Sequence, residues 1–138
     1  MAMDLFEIKR EYFLGIKEID DQHVRILKLI KQMGAARGSA SEHETIMAVL
    51  KQMIRYSQEH FAYEKSLMDG QGYPEEAAHR QAHVDYNSQL QDMANRFLVD
   101  GHLDPVEIIT FLWRWWTEHI QQVDRIWVTW HLVQTLEI

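Results

Sequence analysis

Residues 72–97 read GYPEEAAHRQAHVDYNSQLQDMANRF. His79, His83, Tyr86, Leu90, Met93 and Phe97 recur along this stretch in steps of four, three, four, three and four, the spacing of the inner stripe of an α-helix. The two histidines therefore extend the apolar face and do not sit on the solvated one. Pro74 suits the first turn of a helix, and Glu75 and Glu76 are favourable at its N-terminus. A helix is predicted over about 74–100.

Working outward, three more segments carry the same period. Ile46, Leu50, Met53, Ser57, His60, Glu64 and Leu67 form a stripe within a helix expected over about 41–69, with Ser41 and Glu44 reading as a capping box. Ile16, Ile19, His23, Ile26 or Leu27, and Ile30 mark a helix over about 20–35, capped by Asp20. Ile108, Leu112, Trp115 or Trp116, His119 and Val123 mark one over about 104–123, opened by Asp104-Pro105 and Glu107, with Asp124 just after. Gly34 and Gly38, Gly70 and Gly72, and Gly101 fall in the breaks between them. No alternating stretch reads as a strand. Four long amphipathic helices on short loops imply an all-α, up-down-up-down four-helix bundle over about 19–124. It carries an ordered, non-helical N-terminal arm at 1–18, in which Phe6, Ile8, Tyr12, Phe13 and Leu14 need burial. A short apolar C-terminal extension follows at about 125–138, the whole chain 1–138 reading as a single domain.

Composition narrows the function. With 14 basic and 21 acidic residues the chain carries −7, which disfavours nucleic acid or an anionic membrane surface as partner. The absence of cysteine excludes disulfides, thiol catalysis, iron–sulfur ligation and cysteine-based zinc sites. No window approaches a membrane span, and the charged start MAMDLFEIKREYFLGIK is no signal peptide, so a cytoplasmic protein is expected. What stands out is eight histidines in a small acidic chain.

A lone histidine on an apolar face is commonly a hydrogen-bonded core residue, and one H-x3-H pair is only suggestive. Five imidazoles and two carboxylates in a single core are different, because each poorly satisfied group costs several kcal/mol. His60–Glu64 lies near the end of its helix and His79–His83 near the start of the next, antiparallel one. His23 opens the first helix and His119 closes the last, so all four helices converge on one layer. A metal reverses the cost, since it requires deprotonated nitrogen and oxygen ligands. Seven ligands exceed the needs of one tetrahedral ion, and a sulfur-free nitrogen and oxygen set suits iron or manganese. A ferritin-like site would need two Glu-x-x-His motifs, of which only Glu76 to His79 is present, and no H-E-x-x-H zinc-protease motif occurs.

The pieces IDDQH at 19–23, HFAYEKSLM at 60–68, GYPEEAAHRQAH at 72–83 and HIQQVD at 119–124 together resemble the bacterial hemerythrins, over nearly the whole chain. The resemblance implies two iron ions. His79, His83 and His119 would hold one; His23 and His60 would hold the other, leaving a position open. Glu64 and Asp124 would bridge both, together with an oxo or hydroxo group. It further implies reversible dioxygen binding without substrate turnover, in an oxygen carrier or store or in an oxygen- or redox-sensing domain joined to a signalling module. Small anions such as azide would bind the oxidised state.

Two positions depart from the family pattern. Glu7-Ile8-Lys9 stands where a tryptophan is common, and Trp115-Trp116-Thr117-Glu118-His119 replaces Trp-Leu-x-x-His. Trp115 and Trp116 are therefore expected at the ligand pocket, with Trp116 in the place of a pocket leucine. His43, His102 and His131 are expected outside the ligand layer, and Trp113 and Trp127 as aromatic anchors of the core. The alternative function, a di-iron oxidase or peroxidase acting on small reductants, is disfavoured because no extra pocket acid is evident.

Overall fold

A computed structural model describes residues 6–100 and 103–136, and every regular element among them is helical. Helix α1 spans Lys17–Ala36, α2 Glu42–Met68 and α3 Glu76–Asn95, the last followed by a π-helical turn at Arg96–Asp100. The fourth rod consists of α4 (Pro105–Glu118), a π-helical turn at His119–Asp124, and α5 (Arg125–Thr135). This is the four-helix bundle expected from the pattern of stripes. Over Arg125–Thr135 the C-terminal extension is helical and continues the fourth rod without a break. Gly101 and His102 lie outside the described residues.

The helix starts differ in how they are satisfied. Asp104 behaves as expected: its side chain accepts from the Val106 N–H at 2.9 Å, with Pro105 at the first helical position. Ser41 makes no side-chain cap; instead Glu42 accepts from the Gly38 N–H at 2.6 Å and the Ser39 hydroxyl donates to the Ala36 carbonyl. Pro74 precedes α3, whose cap is Glu75. Asp20 is not a cap either, since α1 already begins at Lys17. Its buried carboxylate accepts from the N–H groups of Leu14 at 2.7 Å and Gly15 at 3.1 Å. Asp20 thus fastens the arm to the bundle at a turn where Gly15 has φ +104°.

The arm follows α1 and α4. Phe6 meets Trp113 edge-on at 5.1 Å and lies so close to α1 that a Cβ on Gly34 would come within 2.9 Å of its ring. Tyr12 is buried, but Phe13 is 46% exposed, contrary to the burial expected of it.

Two apolar clusters fill the interior. The larger includes Ile26, Ile30, Met53, Leu50, Tyr86, Leu112, Trp116 and Ile120. The smaller joins Ile19, Met68, Tyr73, Trp127 and Val128 at the other side of the histidine layer. Along α1 the succession Ile19, His23, Ile26 gives the order of the smaller cluster, the histidine layer and the main core. None of the described helices is long and apolar enough to cross a membrane.

Candidate metal centre

All seven residues singled out in the sequence are buried, and they meet in one layer. His60 and Glu64 are four apart on α2, and His79 and His83 four apart on α3, so ordinary α-helical pitch aims each pair inward. His119 and Asp124 are five apart. In an α-helix that spacing rotates the second side chain roughly 140° from the first. The π-helical turn runs from His119 to Asp124, and its i→i+5 bonding brings the two onto a common face. The wider turn shifts the inner stripe by one residue. Asp124 is fully buried whereas Val123, expected in the stripe, is half-buried, and Trp127 and Val128 carry the new phase into α5.

Within the layer the side chains divide into two groups that share both carboxylates. Glu64, His79, His83, His119 and Asp124 form one; His23, His60, Glu64 and Asp124 form the other. Each carboxylate splits its oxygens between the groups. Glu64 presents Oε1 to His79 Nε2 (3.2 Å) and His83 Nε2 (3.5 Å), and Oε2 to His60 Nε2 (3.4 Å). Asp124 presents Oδ1 to His79 Nε2 (3.2 Å) and His119 Nε2 (3.1 Å), and Oδ2 to His23 Nε2 (3.1 Å). The Nε2 atoms of His23 and His60 face each other at 3.0 Å, and those of His83 and His119 at 3.1 Å.

This donor set fits a pair of cations better than it fits itself. Glu64 Oε2 and both oxygens of Asp124 are buried without a hydrogen bond, as are His23 Nδ1 and His79 Nδ1. Two fully buried carboxylates would carry a large desolvation cost if left to imidazoles alone. Burial and Asp124 both push the Glu64 pKa up, yet His60 and His79 outweigh them and hold it at about 2. Burial also works against ionised Asp124, but His119, His23 and His79 keep its pKa well below the usual carboxylate range. The layer therefore offers two carboxylates in their ligating, deprotonated form. Burial drives His83 down to about 3 and lowers His23, which favours the neutral, lone-pair-bearing imidazole. His79 goes the other way: burial is overcome by Asp124 and Glu64, raising it to about 9.

Gln22 and Phe61, to which the sequence pattern assigns no role, both hold rings of the layer. His60 Nδ1 donates to Gln22 Oε1 at 2.6 Å, which fixes the tautomer that turns the Nε2 lone pair inward. Gln22 in turn donates to Glu18 at 3.2 Å. Gln22 directly precedes His23, and that adjacency was the one available signal. Phe61 stacks on His83 with centroids 3.7 Å apart; it follows His60 immediately and so falls off the α-helical stripe. Trp116 is fully buried with its ring 5.7 Å from His60 and 6.4 Å from His23, on the side of the two-imidazole group. Trp115 is elsewhere: half-buried and stacked on His119 at 4.3 Å, on the three-imidazole side. His43 is exposed and stacks on Phe97, while His131 bonds to Gln71; neither joins the layer.

A helical bundle with a buried histidine and carboxylate layer shared among all four rods defines a class of cation-binding bundle proteins. Residues 14–130 match the sequence model of the hemerythrin HHE cation binding domain. The bacteriohemerythrin of Stenotrophomonas maltophilia is 31% identical over 112 residues, 81% of this chain and 72% of that one. That of Pseudomonas aeruginosa is 32% identical over 110 residues, 80% of this chain and 71% of the relative, and that of Clostridium acetobutylicum is 24% identical over 126 residues, 88% and 97% respectively. A crystal structure of a hemerythrin with a leucine-to-tyrosine substitution superposes with a TM-score of 0.82 at 23% identity, covering 92% of this chain and 97% of that one, a likeness of fold. The chain belongs to the hemerythrin family.

Proposed function

We propose that this chain is a cytoplasmic non-haem di-iron protein that binds dioxygen reversibly, as a carrier, a store or the sensing part of a signalling protein, and that it turns over no substrate. His79, His83 and His119 would hold one iron and His23 and His60 the other, with Glu64, Asp124 and an oxo or hydroxo group between them. The bound iron pair would supply reversible dioxygen binding at the position left open on the two-imidazole side. The observation that carries this reading is the division of five imidazoles, three against two, around two carboxylates that each turn one oxygen to either group.

The chain's own residues suit that task. Gln22 holds the His60 ring by its Nδ1. Phe61 and Trp115 brace the His83 and His119 rings by stacking. Trp116 spends its only hydrogen-bond donor on Tyr86, so the surface it turns to His23 and His60 is apolar and excludes water. A small surface cleft of about 150 Å³, lined by Glu18, Gln22, Arg25, Ile26, Tyr56, Glu59 and His60, lies on the same side.

Aerobically purified protein is expected to contain two irons per chain, to absorb in the near ultraviolet as an oxo-bridged pair does, and to develop visible bands on adding azide. Protein that stays colourless and iron-free after anaerobic reconstitution with ferrous iron would overturn the proposal.

A further inference from the structure

Trp115 stands in a different relation to the layer from every other aromatic residue around it. Its indole lies nearly parallel to the His119 ring, at 13° with centroids 4.3 Å apart. It is also 4.2 Å from the Tyr86 ring and 5.0 Å from Trp116, which continues to His60 at 5.7 Å. Phe61, Tyr86 and Trp116 are buried, whereas Trp115 is half-buried. It forms part of the wall of a surface groove of about 540 Å³ between α3 and α4, beside Phe111, Arg114, Glu107 and Glu118. One side chain thus reaches from solvent to a ring that faces Asp124, with no saturated carbon layer between.

Stacking alone would be explained by packing, but packing does not call for a large aromatic ring half-open to a surface groove. The groove sets the aromatic faces of Phe111 and Trp115 beside Glu107, Glu118 and Arg114, and a flat aromatic one-electron donor suits it by stacking. We infer that Trp115 is the port through which electrons reach the metal layer from such a donor, so that an oxidised site is returned to its ferrous form through Trp115 and His119. This rests on the di-iron reading above. In each step the donor loses one electron and one ferric ion gains it; two donor molecules restore the pair. With reduced methyl viologen the radical cation becomes the dication and no proton is exchanged at the donor.

The test is anaerobic stopped-flow reduction of the oxidised, iron-loaded protein by reduced methyl viologen, followed by loss of the ferric absorption. Trp115→Leu is expected to slow reduction about tenfold, equivalent to about 1.4 kcal/mol in the barrier. Trp115→Phe, which keeps a ring against His119, is expected to recover most of the rate. In Trp115→Leu reduction is expected to slow more than azide binding does, whereas loss of packing around His119 alone would slow both alike. Thr110→Arg, at an exposed groove position away from the ligands, is expected to slow reduction as well and keeps the test open should Trp115→Leu lose iron. Native rates in Trp115→Leu with two irons retained, or in Thr110→Arg, would overturn the inference. Native protein that holds no iron would remove the di-iron reading and this inference with it.

Discussion

Trp116 donates its indole N–H to the hydroxyl of Tyr86 across 2.9 Å, and that hydroxyl is also within 2.9 Å of the Ser57 hydroxyl. All three groups are fully buried. The bond decides where the indole goes. A tryptophan in place of a leucine adds volume that a close-packed core does not absorb freely, and the tether to Tyr86 keeps that volume over His23 and His60.

Trp116→Leu is therefore expected to speed azide binding to the oxidised protein while iron content stays at the native level. It should also destabilise the bundle by about 2–4 kcal/mol, from the cavity and the lost hydrogen bond together. Stopped-flow azide binding and chemical denaturation measure the two effects. Equal azide rates would reduce Trp116 to a packing residue.

Tyr86→Phe separates the tether from the bulk. It leaves the Trp116 N–H buried without a partner, at a cost of about 1–3 kcal/mol. Azide binding should speed up towards the Trp116→Leu rate, because the indole is no longer tethered over His23 and His60. A native rate would show that packing, and not the bond to Tyr86, positions the ring.

Removal of a single imidazole should be felt as lost metal. His79→Ala and His119→Ala each delete a nitrogen from the three-imidazole group, and both are expected to fall below two irons per chain by elemental analysis. Two irons retained in either variant would reject the ligand set.

Iron loading should raise the melting temperature, because a ligand bound only by the native state adds about 2.7 kcal/mol at a free concentration one hundred times its dissociation constant. An unchanged melting midpoint in a calorimetric comparison of iron-free and iron-loaded protein would show that the apolar clusters alone set the stability.

The π-helical turn gives a geometric test. Deleting Gln122, an exposed residue within it, should restore α-helical pitch and leave the histidine and aspartate four apart, as His60 and Glu64 are. Iron content and far-ultraviolet dichroism are expected to stay near native. Inserting an alanine after Gln122 should swing the aspartate off the inner face and abolish iron loading; retention of two irons would refute this account of the turn.

The helices and the gathering of seven polar side chains were legible because the period of the stripes depends only on α-helical geometry, which α1, α2 and α3 obey. Legibility ended where that period changes. An α-helical reading carries Val123 inward and leaves Asp124 as a neighbour, and nothing local in HIQQVD marks the wider turn. The pattern points to caps at Ser41 and Asp20 that the fold does not use, because a side-chain oxygen at a helix start can serve either the helix or the chain running into it, and tertiary contact decides which. Gln22 and Phe61 act on a ring from the side, and no stripe encodes that.

Every rod of the bundle lends at least one side chain to the layer, and apolar clusters close it above and below. An ion seated there could not readily exchange its ligands one at a time with solvent, because all seven of the candidate side chains are buried. Departure would require a rod to swing away from its neighbours, an opening that breaks the apolar contacts on both sides of the layer. The residence time of the metal would then follow the rate of partial unfolding, and chelators would strip it no faster than the protein opens.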